Sequence, residues 1–153
     1  MNIEENLKNH QIELEDASTP AGNYVPYIIT NKLVFISGQL PFKQGKIPIT
    51  GVVGETVSSE DAIEMAKLCA LALISQLKSA CNGDLNKVSK VVKLGGFVAS
   101  CSSFTSQPTI INGASDIMVK VFGEQGKHSR FAVGVSSLPL NAPVEIEGIF
   151  ELK

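Results

Sequence analysis

The chain has 153 residues, 44% of them hydrophobic, and at that length one core can bury roughly two-thirds of the unfolded surface. Its 13 Lys and Arg against 15 Asp and Glu leave a formal net charge of -2 and no basic block, so nothing in it neutralises a row of phosphates and nucleic acid is not an expected partner. The polar, acidic start Met1-Asn2-Ile3-Glu4-Glu5-Asn6 does not read as a secretory signal, no stretch is apolar enough for a membrane span, and three irregularly spaced cysteines suit a reducing cytoplasm better than a disulfide framework or a zinc site.

Residues 3 to 10 fit a short amphipathic helix, after which the polar stretch Glu15 to Gly22 breaks any regular pattern. Residues 1–19 are therefore expected as a leader and residues 20–153 as a single domain. Tyr27-Ile28-Ile29-Thr30 and Leu33-Val34-Phe35-Ile36-Ser37-Gly38, joined by Asn31-Lys32, read as a hairpin. Gly38, followed by Gln39-Leu40-Pro41, interrupts the pairing, because glycine admits close approach to the backbone and Pro41 donates no hydrogen bond. A short strand is expected around Ile47 to Val53.

Ser58 opens a helix. Its hydroxyl can cap the exposed amides, Glu60 and Asp61 favour the positive end, and Ile63, Ala66, Ala70, Leu73, Ile74 and Leu77 form an apolar stripe as far as Asn82-Gly83. Cys69 in this helix reads as a small core residue, whereas Cys81 and Cys101, near element ends, are expected to be mildly exposed. Val88, Val91, Val92, Leu94, Phe97 and Val98 carry a central strand. The Gly95-Gly96 pair inside it implies a bulge or close packing against a helix or neighbouring chain.

Phe104 to Asn112 reads as a loop containing Pro108, with Asn112 capping a second helix through Ala114, Ile117, Met118, Val121 and Phe122 up to Gly123. In Arg130-Phe131-Ala132-Val133-Gly134-Val135 the alternation reads as a strand with Phe131, Val133 and Val135 toward a core. Arg130 then stands over a face stripped of bulk by Ala132 and Gly134, where a small molecule could lie. A guanidinium there could hold a carboxylate bidentately at any working pH; an ordinary structural ion pair is the alternative. His128 would share that face if the strand began early, and otherwise reads as a solvated or capping turn residue. A last strand, Pro143 to Leu152, sets Glu145, Glu147 and Glu151 on one face and Val144, Ile146 and Phe150 on the other.

The order of strands, helix, strand, helix, strands favours an α+β fold with helices on one face of a sheet. A second copy of the chain is the natural cover for the other face, since an open apolar sheet is an aggregation liability. Only His10 and His128 could act as imidazole bases, and their separation matches no recognisable motif.

Gly22-Asn23-Tyr24, Ser37-Gly38-Gln39-Leu40-Pro41, and Arg130 followed by Leu138-Pro139 and Val144-Glu145-Ile146-Glu147 resemble the Rid/YjgF family of reactive-intermediate deaminases, also labelled endoribonuclease L-PSP and translation inhibitor. The resemblance spans about residues 20 to 152. Met1 to Thr19, Asn112-Gly113-Ala114-Ser115-Asp116 and Val133-Gly134-Val135 resemble a longer-chain subgroup. The resemblance implies a chorismate-mutase-like fold, a six-stranded mixed sheet backed by two helices, assembled as a homotrimer with clefts between subunits. It also implies hydrolysis of imines and enamines derived from amino acids to 2-keto acids and ammonia, with no cofactor and no metal. By position, Arg130 would hold the substrate carboxylate, Glu145 would position or activate water, and Tyr24, Ser37, Gly38 and Asn112 would line the cleft. Ala132 stands where many relatives have a cysteine, at a position expected to offer its backbone groups. Because a general base works best in a partly dry cleft, Glu145 is expected to be less exposed than Glu147. Two other readings stand beside this one: a non-catalytic sensor that binds a 2-keto acid in the same cleft, and a ribonuclease, for which the chain offers neither a basic groove nor a histidine pair.

Overall fold

Tyr27–Thr30 (β1) and Leu33–Gln39 (β2) form the expected hairpin, turning through Asn31 at a φ of 52°, a conformation that asparagine tolerates. The structure, a computed structural model, describes residues 2–153; Met1, the first residue of the expected leader, lies outside the described residues. A first helix, α1 (Ile3–Asn9), forms where expected, and its Ile3 and Leu7 are buried in the same hydrophobic cluster as the rest of the chain. The Ile3 amide donates to Asn86 Oδ1 at 2.9 Å and Asn6 Nδ2 to the Val121 carbonyl at 3.0 Å.

From β2 the chain crosses through α2 (Ser59–Ala80) to β3 (Val88–Ala99), and from β3 through α3 (Gln107–Phe122) to β4 (Ser129–Val135), which lies parallel to β3. β5 (Val144–Leu152) then inserts antiparallel between β2 and β3, so the sheet order is β1-β2-β5-β3-β4. The sheet thus has five strands among the described residues, not six. The segment expected as a short strand makes only single bridges, from Val53 to Val57 and to Ser100. Pro48 lacks a donor, and Gly51 and Gly54 take φ of 128° and 89°, which no regular ladder accommodates.

α2 keeps its expected limits. Ser58 Oγ accepts from the Asp61 amide at 3.2 Å, and the chain leaves the helix through Asn82 and Gly83, both at positive φ. α3 instead begins at Gln107, well before the expected cap at Asn112, which sits exposed in mid-helix. Pro108 occupies the first turn, where its missing N–H has no helical partner to lose, and the buried Ile110 and Ile111 extend the apolar stripe backwards.

α2 and α3 cover one face of the sheet, where Val34, Ile36, Leu94, Val98, Val144, Ile146 and Phe150 meet Leu73, Ile74, Leu77, Ile111 and Met118 in the core. Phe131, Val133 and Val135 do not point there. They lie on the helix-free face, where Phe131 meets Phe97 edge-on with ring centroids 5.3 Å apart and Val133 is 42% exposed. Ala132 is on the core side, in register with Gly96 and packed against the core. The Gly95-Gly96 pair has the same cause on both faces: a Cβ on Gly95 would come within 2.6 Å of the Phe131 ring, and one on Gly96 within 2.6 Å of Ile111. Cys69 is fully buried as expected, and Cys81, expected to be mildly exposed, is buried as well.

Candidate functional site

Two groups of the expected site residues assemble, one on each face of the sheet. Arg130 lies in register with Leu94 on β3, so its side chain leaves β4 on the helix side. Its Nη1 donates to Ser115 Oγ at 3.0 Å and its Nη2 to the Pro108 carbonyl at 3.1 Å, which lays the guanidinium along α3. Pro108, Asn112 and Ser115 fall on one side of that helix by their spacing of four and three, so Asn112 joins Arg130 here. Among the described residues no carboxylate pairs with Arg130. Two of its five N–H donors are engaged, leaving three for an incoming anion.

The hollow expected over Ala132 and Gly134 is open at Gly134, which is exposed, and is narrowed there by neighbouring side chains. Ala132 packs against the core, and a Cβ on Gly134 would come within 2.8 Å of both Gln107 Nε2 and Ser100 Oγ. These small residues make room for α3. His128 does share the Arg130 side: its Nε2 lies 2.9 Å from Ser115 Oγ and its Nδ1 2.6 Å from the Gly126 carbonyl. Ser115 was not singled out as a site residue. Its signal is its position seven residues after Pro108 on the helix side facing β4, which is legible only once the helix is known to begin at Gln107.

The second group surrounds Glu145. Its register partner is Phe97, which sets its carboxylate on the helix-free face. Glu145 is half-buried while Glu147 is exposed, the difference expected from the sequence. Burial, helped by the negative charge of Glu147, pushes the Glu145 carboxyl above its ordinary pKa. The carboxylate rests on the backbone of Gly38, where any side chain would collide with it. β2 breaks register between Ile36 and Gln39, and that irregularity presents Gly38 to Glu145. Ser37 anchors the preceding segment: its amide donates to the Pro26 carbonyl and its hydroxyl to the Val25 carbonyl, both at 2.9 Å. Tyr24, at 53% exposure, therefore stands beside the Ser37-Gly38 bulge.

Arg130 and Glu145 do not meet within one copy. β3 separates their strands, a span of about 10 Å at the usual interstrand spacing, and their side chains leave opposite faces. A hollow of about 460 Å³ opens at the ends of β3 and β4, lined by Ser100, Cys101, Phe104, Gln107, Gly134 and Ser136, and holds neither residue. Among the described residues no group of three or more His, Cys, Asp or Glu side chains could hold a metal, and no helix is long and apolar enough to cross a membrane.

The fold is an α+β sheet-and-helix layer of the chorismate-mutase-like class, with a free guanidinium on the covered face and a half-buried carboxylate on the open one. The family model described as "YjgF/chorismate_mutase-like, putative endoribonuclease" matches residues 4–151, and the chain belongs to that family. A crystal structure of Atu1372 from Agrobacterium tumefaciens, described as of unknown function, is similar with a TM-score of 0.92 and 48% identity, over 99% of this chain and 92% of that one. Protein TCP17 of Trypanosoma cruzi is 43% identical over 148 residues, 96% of this chain and 92% of its own. The chloroplastic Reactive Intermediate Deaminase A of Arabidopsis thaliana is 33% identical over 147 residues, 95% of this chain and 67% of its own. Of these three, only the Arabidopsis protein is named for an activity.

Proposed function

We propose that this chain hydrolyses reactive 2-imino acids and their enamine tautomers to 2-keto acids and ammonia, in clefts completed between the copies of a homotrimer. The observation that carries this reading is the complementary incompleteness of the two groups among the described residues: a guanidinium without a carboxylate on one face, and a half-buried carboxylate without a cation on the other. Juxtaposing the covered-face edge of one copy with the open face of the next completes both. The open face has the apolar surface for that contact, with Ile28 at 55%, Phe35 at 41% and Val133 at 42% exposure. The name of the Arabidopsis relative supports the same chemistry.

In this cleft Arg130 holds the substrate carboxylate, while Asn112 and the backbone at Ala132 stand on its side; Tyr24, Ser37 and Gly38 stand on the side of Glu145. Glu145 takes a proton from water as the water oxygen bonds to the imine carbon, and passes it to the imine nitrogen as the C=N π bond opens. The carbinolamine hydroxyl proton then moves through the same carboxylate to the amine nitrogen, and the C–N bond breaks to release ammonia as the keto group forms. An imine is already electrophilic, so orientation together with one base suffices; general acid–base help contributes about 10²- to 10⁴-fold. The raised pKa of Glu145 makes it a stronger base than an exposed carboxylate.

The test is an imino acid generated in situ by an amino acid oxidase, its disappearance followed with and without the protein. Acceleration that is lost in Arg130→Ala and in Glu145→Gln is the expected result. A wild-type rate equal to that of buffer overturns the reading, and saturable keto-acid binding without turnover would assign the sensor instead.

A further inference from the structure

We infer that Ser115 and His128 are positioning residues for Arg130, forming with it a one-directional hydrogen-bonded chain that fixes how the guanidinium is presented to a carboxylate. The inference rests on the proposed role of Arg130 as carboxylate anchor and adds two residues to which no role has been given.

The direction of the chain follows from its last link. The Gly126 carbonyl can only accept, so His128 Nδ1, 2.6 Å away, carries a proton. In the neutral imidazole Nε2 is then bare and accepts from the Ser115 hydroxyl at 2.9 Å. With its proton committed to His128, Ser115 Oγ turns a lone pair to Arg130 Nη1 at 3.0 Å. With the imidazole neutral, each group thus has one role, Arg130 to Ser115 to His128 to the Gly126 carbonyl.

The anchor points are rigid. Ser115 is on α3, and Gly126 closes the turn after that helix, where a Cβ would strike the backbone of Met118 and Val119. His128 immediately precedes β4. Pro108 holds Nη2 independently at 3.1 Å, so the plane of the guanidinium is fixed at both terminal nitrogens. A long side chain that would otherwise lose rotamer freedom on binding is ordered beforehand, a saving realised in affinity. The chain touches neither Glu145 nor the open face, so its loss weakens capture and leaves the chemical step alone.

Titrate pyruvate calorimetrically into the wild type, Ser115→Ala, His128→Leu, the double variant and Ser115→Thr, and measure kcat and KM for the same proteins with an oxidase-generated imino acid. Each single variant is expected to weaken pyruvate binding and raise KM by about five- to tenfold, with kcat changed by less than about twofold. The double variant should be no worse than either single one, because the residues act in series. Ser115→Thr, which keeps the hydroxyl, should restore wild-type affinity. Wild-type affinity in either single variant, or losses that multiply in the double, overturns the inference alone. A wild type that neither binds pyruvate nor hydrolyses the imino acid overturns the reading of Arg130, and the inference with it.

Discussion

Arg130 has two donors tied to α3 and no carboxylate of its own among the described residues, so its exchange for lysine tests whether shape or charge matters. Lysine offers one point charge that cannot reach Ser115, Pro108 and a ligand together. Arg130→Lys is expected to lose roughly 10- to 100-fold in kcat/KM, close to Arg130→Ala, as measured in the oxidase-coupled assay. At Glu145 the sign of the pH effect follows from its raised pKa. Burial disfavours the ionised form first and the charge of Glu147 adds to it, so the folded chain holds the proton more tightly than the unfolded one. Ionised Glu145 therefore costs stability at neutral pH, and that cost disappears as pH falls through the raised value. Glu145→Gln should melt above wild type at neutral pH, with the difference shrinking on acidification. Glu147→Gln should shift the acid limb of the activity profile to lower pH, because it removes the neighbouring negative charge; a limb that stays in place contradicts Glu145 as the titrating base. Of the candidate site, Arg130 and Gly38 stand out by their settings in their strands, whereas Glu145 is separated from Glu147 and Glu151 by the family resemblance. Ser115 does not stand out, since its partner lies fifteen positions away and only the packing of α3 brings them together.

At the level of elements, legibility followed how far local chemistry decides. α2 could be read from both ends because Ser58, the apolar stripe and Asn82-Gly83 all act within one turn. α3 begins earlier than its sequence suggests because Pro108, which reads as part of a loop, sits in the first helical turn, where a proline has no helical N–H bond to lose. β4 teaches a different lesson. Alternation along Arg130 to Val135 says that the two faces differ, but not which one meets the core. The bulky residues lie on the open face, while on the other Ala132 packs against the core and Gln107 and Ser100 crowd Gly134. The same closeness makes Gly96 a sensitive contact: Gly96→Val would drive a side chain into Ile111 and is expected to cost about 1–3 kcal/mol, read as a fall in melting temperature of several degrees. Because α3 also carries Ser115 and Pro108, KM should rise in the same variant.

The whole molecule carries Arg130 and Glu145 on opposite faces of one sheet, an arrangement that no single element reveals. A mixing experiment follows from it. Arg130→Ala and Glu145→Gln chains, each strongly impaired alone, should recover to about a quarter of wild-type activity when unfolded and refolded together in equal amounts, since a quarter of the clefts then join an intact arginine to an intact glutamate. No recovery would mean that both groups come from one copy or that the copies do not assemble in this way. Light scattering on the same samples should give the mass of three chains, and Phe35→Asp, which places a charge on the open apolar face, should lower it.

The docking of α1 bears on how the chain is made. Ile3 and Leu7 are synthesised well before the residues that anchor their helix, since Asn86 and Val121 lie 83 and 115 positions downstream of Ile3 and Asn6. At ordinary translation speeds those partners emerge on the order of 10 s later. Throughout that interval two greasy side chains have nowhere to settle, so this helix is made early and seated late.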